Sequence, residues 1–289
     1  MKKPKKINKL KKIKKVKSKS NYISFYENFE NKENENFIKA EITREYIKKT
    51  LKFREADVLQ INIKYPVFSV ASKSNTMTAI TAMITKKIND FYDSAVRSFM
   101  NFCEKKLYKS AAMEFLLSRN AGDYQEFKPF GAVITFETPY TTEYTEQNSV
   151  CSVCAVCRNG FLCVCLDINI YSGKGRGNVI RKTQIWNLTN GELYSPKRII
   201  NFNKHTKKII CEYICTIMER RIKKGEERYI NADAPSVCRQ NVYKHLSIDN
   251  LYLAGNGYAF SFPQGTVAPR DCGIVDFVVP ESVLNSMNL

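Results

Sequence analysis

From Ala56 the chain alternates, with Leu59, Ile61, Ile63 and Tyr65 separated by polar residues as far as Pro66, the period of a strand with one buried face. Ser74, Asn75 and Thr76 then offer N-caps, and Ile80, Ile84, Ile88, Phe91, Ala95 and Phe99 follow at helical spacing. That spacing predicts a long amphipathic helix packed on a sheet, breaking near Lys106, with a second helical stretch ending at Asn120-Ala121-Gly122-Asp123. Residues 132–171 are rich in Val, Ile, Thr, Tyr and Cys, and Asn159-Gly160 is the strongest short-range hairpin signal in the chain. With those two as the turn, Arg158 faces Phe161, Val156 faces Cys163 and Cys154 faces Cys165. Further strands are expected at Arg181–Asn187 and beyond a turn at Asn190-Gly191. His205–Arg221 reads as a helix burying Ile209, Ile210, Tyr213, Ile214 and Ile217, and Leu251–Leu253, Gly257–Phe262 and Gly273–Val279 close the chain as short strands. Helices set between groups of antiparallel hairpins define an α+β fold, with mixed, mainly antiparallel sheets and a long amphipathic helix on each half.

The N-terminus has no such pattern. Met1–Ser20 holds eleven Lys and no acid, so of the formal charge of +18 only +7 belongs to the rest of the 289 residues. Residues 1–50 read as a basic and then polar tail, disordered by composition. Ile7, Leu10, Ile13 and Val16 would form a narrow apolar stripe on a Lys-rich helix if an anionic membrane surface or nucleic acid induced one, with Lys5, Lys6, Lys11, Lys12, Lys14 and Lys15 as the contacts. No apolar stretch follows the lysines as an export signal requires, and no run of about 18 apolar residues marks a transmembrane segment. The expectation is a cytoplasmic chain, peripheral to a membrane if the tail binds one, with composition that excludes collagen, coiled coil and disorder throughout.

Ten cysteines stand at 103, 151, 154, 157, 163, 165, 211, 215, 238 and 272. In the predicted hairpin Cys154, Cys163 and Cys165 share one face, where thiolates could hold zinc or a softer metal if Cys211, Cys215 or His205 completed the set. The spacing does not match zinc ribbons, and cysteine is also a small buried hydrophobe, so core packing, thiol redox and metal binding all stay open. Gly173-Lys174-Gly175-Arg176-Gly177 offers backbone donors and cations to an anion, yet lacks the Walker spacing and a strand-to-helix context, and reads first as a turn between strands. Lys174 and Arg176 are the first candidates for an anionic ligand. His205 and His245 are the only histidines, neither beside a nucleophile motif, so no catalytic constellation is found and no cofactor is expected.

Three stretches carry a family resemblance: INIKYPVFS (61–69), YSGKGRGNVIRKTQIWNLTNGELYSPKRI (171–199) and DNLYLAGNGYAFSFPQGTVAPRDCGIVDFVVP (249–280). They resemble the paired domains of unknown function in the extracellular part of the lysozyme-sensing anti-sigma-V factor and in the non-catalytic region of a peptidoglycan deacetylase of Gram-positive bacteria. Tyr171, Gly173 and Gly177 fit the middle motif, whereas Lys174 and Arg176 replace the family's Gly and His. Phe262, Val267, Ala268, Pro269, Gly273, Phe277 and Pro280 fit the last, while Gly265 and Arg270 stand where Tyr is usual or common. The resemblance implies an N-terminal α+β subdomain over 56–172 of the deacetylase-associated type and a C-terminal one over 173–289 of the anti-sigma-V type. It implies a non-enzymatic module for a protein or cell-wall ligand, in envelope-stress signalling; the candidate ligand residues are Tyr171, Lys174, Arg176 and Arg270, and since Lys174 and Arg176 replace the family's residues the ligand's identity does not carry over. The alternative is a protein that binds nucleic acid or an anionic membrane through its tail, and a weaker one is a thiol metal or redox protein.

Overall fold

In a computed structural model of the chain the described residues are 38–72, 78–120, 127–137, 153–155, 160–173, 177–225, 228–231, 233–254 and 257–285. They confirm an α+β fold with mixed, mainly antiparallel sheets. Order starts earlier than the sequence suggests. Strand β1 (Ile38–Phe53) occupies the end of the expected tail, and pairs antiparallel along nearly its whole length with β2 (Ala56–Ser72). Its polar appearance follows from this geometry: among its described side chains only Ala40 and Ile42 are fully buried, while much of the strand presents Lys and Glu to water.

A helix α1 (Thr78–Phe102) follows, burying Ile84, Ile88, Tyr92 and Val96, and the expected break is a π-turn at Cys103–Leu107, closed by the Tyr108 N–H on the Cys103 carbonyl. Helix α2 (Tyr108–Asn120) completes the crossover to β3 (Phe130–Glu137), which runs parallel to β2. A parallel pair needs such a long connection. Because β3 pairs with β2 only along Leu59–Ile63, the edge of β2 is free beyond it, and α1 takes that edge. Asn89 accepts from the Phe68 N–H at 2.8 Å and donates to the Phe68 carbonyl at 2.9 Å, and Thr85 Oγ1 accepts from the Val70 N–H at 2.9 Å. Backbone groups left by one strand are thus satisfied by helix side chains.

Strand β4 (Val153–Ala155) lies on the outer edge of β1, while β5 (Phe161–Tyr171) pairs with β3 and with β6 (Asn178–Asn187), and β7 (Glu192–Leu193) ends the sheet, in the order β4-β1-β2-β3-β5-β6-β7. The hairpin expected around Asn159-Gly160 is therefore corrected: Cys154 stands opposite Glu41, and Cys165 stands between Glu137 and Thr183. The run Leu162-Cys163-Val164-Cys165-Leu166 is buried on both faces, so β5 gains more as a central strand than as half of a hairpin. Leu162, Val164 and Leu166 join the core under α1 and α2, whereas Cys163 and Cys165 face a second core.

That second core is covered by α3 (Lys204–Lys223), α4 (Pro235–His245) and an antiparallel sheet of β8 (Leu251–Ala254), β9 (Gly257–Phe262) and β10 (Val275–Pro280), with α5 (Glu281–Asn285) after it. Ile210, Ile214, Met218, Phe260, Phe262 and Phe277 fill it. The seven-stranded sheet crosses position 172/173 and serves both cores. Among the described residues no helix is long and apolar enough to cross a membrane.

Candidate functional site

Two cross-strand pairs meet where the large sheet faces the small one. Asp167 of β5 stands opposite Arg181 of β6, and Ser261 of β9 opposite Asp276 of β10. Arg181 donates to Asp167 through Nε at 2.7 Å and Nη2 at 2.6 Å, and to Asp276 through Nη1 at 2.6 Å, while Ser261 Oγ donates to the other Asp276 oxygen at 2.5 Å. Only 9% of the Arg181 side chain is exposed. Burial opposes its charge, but the Asp167 hydrogen bond and the two carboxylate charges outweigh it and hold its pKa above the ordinary value.

Asp276 is also part of a cleft of about 550 Å³, lined among others by Arg221, Gly225, Arg228, Cys272 and Val275. The sequence builds its two walls separately. On one side α3 ends in Arg220, Arg221 and Lys223, cations that suit the negative end of a helix dipole, and Gly225 at φ +68° turns the chain away. On the other a short turn, Arg270–Cys272, leads into β10. Arg221 lies 5.2 Å over the Phe277 ring and donates to Tyr229 Oη at 3.3 Å, and Arg228 pairs with Asp271 at 2.5 Å, so both guanidinium groups have set directions. The cleft lining thus includes two arginines and a carboxylate already paired with Arg181. That chemistry suits a carboxylate or other anion of small-ligand size. No histidine is among its lining residues; His205 is one residue into α3, about 24 Å of helix away from Arg221.

Of the sequence-derived ligand candidates, Tyr171 and Arg270 are among the described residues. Tyr171 ends β5 and donates to the Gly173 carbonyl at 2.9 Å. Arg270 is exposed at the start of its turn, where its carbonyl accepts from Gln264 Nε2 at 2.7 Å, and Gln264 Oε1 accepts from the Val179 N–H at 3.0 Å. Gln264 therefore brings the Arg270 turn beside the start of β6. Lys174 and Arg176 lie outside the described residues, as do Lys5, Lys6, Lys11, Lys12, Lys14 and Lys15.

The proposed cysteine set is not assembled on one hairpin face, because β4 is four strand spacings from β5, about 19 Å at the usual separation. Cys163 and Cys165 are fully buried; burial pushes the Cys163 thiol up to about 12, although the Leu253 N–H donates to its sulfur at 3.3 Å, and burial raises Cys165 as well. Among the described residues no three His, Cys, Asp or Glu side chains gather as a metal site. Elsewhere Cys211 and Cys215 share the face of α3 that meets α4, and the Cys211 sulfur lies 3.5 Å from the Arg239 carbonyl. A hydrogen bond between the two thiols lowers Cys215 and raises Cys211, with the Arg239 side chain also favouring the Cys215 thiolate.

The cleft arginines escaped the sequence reading because Arg221 and Arg228 sit among other cations at a helix end and carry no motif. Their partners, Phe277 and Asp271, are more than forty positions downstream.

No family model and no curated protein matches the chain. Its fold is similar to that of a solved DUF3298 family member from Bacteroides fragilis, at 14% identity and a TM-score of 0.52, over 85% of this chain and 92% of that one. A DUF3298 family protein from Pseudomonas aeruginosa is also similar, at 10% identity and a TM-score of 0.45, over 84% and 92% of the two chains. The fold thus places the chain beside proteins of a domain class of unknown function.

Proposed function

We propose that the chain is a non-enzymatic binding module that takes a carboxylate-bearing protein or cell-wall ligand into the cleft between α3 and the Arg270–Cys272 turn. The observation that carries this reading is the pair of arginines, Arg221 and Arg228, each held by a ring or carboxylate contact and both lining one cleft of about 550 Å³. Such a cleft supplies fixed donors for an anion at low ordering cost. The sequence resemblance to the lysozyme-sensing anti-sigma-V factor and the deacetylase-associated domains supports a ligand of the cell envelope, and with it a role in envelope-stress signalling.

The test is calorimetric titration of the full chain with soluble peptidoglycan fragments bearing free stem-peptide carboxylates, and with the same fragments amidated. The free acids should bind more tightly. Arg228→Ala should weaken them about threefold to fivefold, the scale of an exposed charge pair, because 71% of the Arg228 side chain is in water. Equal affinity for acid and amide would remove the cleft from the account.

The eleven lysines of Met1–Ser20 support a second reading, adhesion of the tail to nucleic acid or an anionic membrane surface.

A further inference from the structure

The second core holds a group of thiols that the proposed binding role leaves unused. Cys211 and Cys215, one helical turn apart, and Cys238 of α4 are all buried, with 2%, 6% and 8% exposure. Positions four apart on a helix have their side chains stacked on one face, here the face that α4 covers. At that spacing the two Cβ atoms are about 5–6 Å apart, so both sulfurs can reach one ion between them. Arg239, the residue after Cys238, approaches from α4: its carbonyl accepts from the Cys211 thiol at 3.5 Å, and its positive charge favours the Cys215 thiolate. Glu212 and Glu219 are the nearby acids, each acting at longer range.

We infer that Cys211 and Cys215 form a two-thiolate site for a soft monovalent cation of the Cu(I) type, neutralised by Arg239. Sulfur ligands select such ions, and two are enough for a d10 monovalent ion. On binding, two S–H bonds break, two S–Cu bonds form and two protons leave. The product carries one net negative charge, which is costly in an apolar core unless a cation faces it. Arg239 is that cation, and because its own side chain is exposed it holds the site from the rim rather than from the core. No oxidant or reductant takes part.

The experiment uses the full chain, reduced and anaerobic, titrated with Cu(I) as its acetonitrile complex against a chromophoric Cu(I) chelator. Cys151, Cys154, Cys157 and Cys272 are first replaced by Ser, since Cys151 and Cys157 lie outside the described residues, Cys154 is on the outer strand β4 and Cys272 is exposed. This background should take one Cu(I), with sulfur-only ligation in its X-ray absorption spectrum. Adding Cys215→Ser should weaken binding at least about a hundredfold, and Arg239→Ala about tenfold, the scale of losing a partner outside the ligand set. Cys103→Ser, a buried thiol of the other core, should change nothing. If Cys215→Ser fails to fold by circular dichroism, the surface change Arg239→Ala still decides. No Cu(I) taken by the background, or undiminished uptake after Arg239→Ala or a folded Cys211→Ser, Cys215→Ser chain, would overturn the inference. The peptidoglycan titration is unaffected by either result.

Discussion

At Arg181 a cross-strand ion pair of one sheet is tied to a hydroxyl–carboxylate pair of the other, so a single guanidinium serves three strands from two sheets. Removing it leaves two carboxylates facing each other with little water. Arg181→Ala should cost about 3 kcal/mol, the lower end for breaking a buried pair, since 29% of the Asp276 side chain stays in contact with solvent. Urea denaturation with an unchanged m-value checks this. A loss below about 1 kcal/mol would mean the network is ornamental. Neither Asp167 nor Asp276 is marked in the sequence, because their meeting depends on how two sheets dock. Tyr171 and Arg270 were legible as positions in a motif, but the contact at each is made on a backbone carbonyl, that of Gly173 and that of Arg270 itself, and a motif does not display those.

At the level of elements, strong periodicity was legible and pairing was not. Helix α1, helix α3 and the three closing strands appear where apolar spacing put them, since each buries one face against a core. The Asn159-Gly160 signal pointed to a local hairpin, and the long-range pairing of β5 with β3 and β6 prevailed because both faces of that strand could be buried. Strand β1 reads as tail in the sequence because its composition is polar, a property of its exposed face. The expectation contained no helix at Pro235–His245, where only Cys238 and Val242 are buried and Pro235 at the first turn is the one start signal. One glycine shows how tightly the closing strands fit: a Cβ at Gly257 would stand 2.2 Å from the Val279 carbonyl oxygen. Gly257→Ala should therefore part β9 from β10 and lower the melting temperature by several degrees, about 2 kcal/mol in a chain of this size. An unchanged thermal transition would show that this contact relaxes freely.

Over the whole molecule, two cores share one sheet, and both contain groups whose proton is held by burial. Burial raises Cys103 to about 11 and Cys163 to about 12, and burial together with the Glu45 hydrogen bond raises Tyr65 to about 12. Each pKa lies above its unfolded value, so the stability these groups contribute is present in full below about pH 9 and is lost as the pH rises toward 12. Denaturation midpoints should fall steadily from pH 8.5 to pH 11 under reducing conditions. A flat profile would mean these groups are solvated. The cleft joins the end of α3 to the start of β10, so a ligand held there stabilises the second core by linkage.

Hydrogen exchange of the full chain, with and without peptidoglycan fragments bearing free carboxylates, tests the binding account most directly. Slowed exchange concentrated at Arg221–Gly225 and Ala268–Asp276 is the predicted result. Slowing confined to Met1–Ser20, or slowing nowhere, would contradict it, and the first of these would transfer the function to the lysine tail.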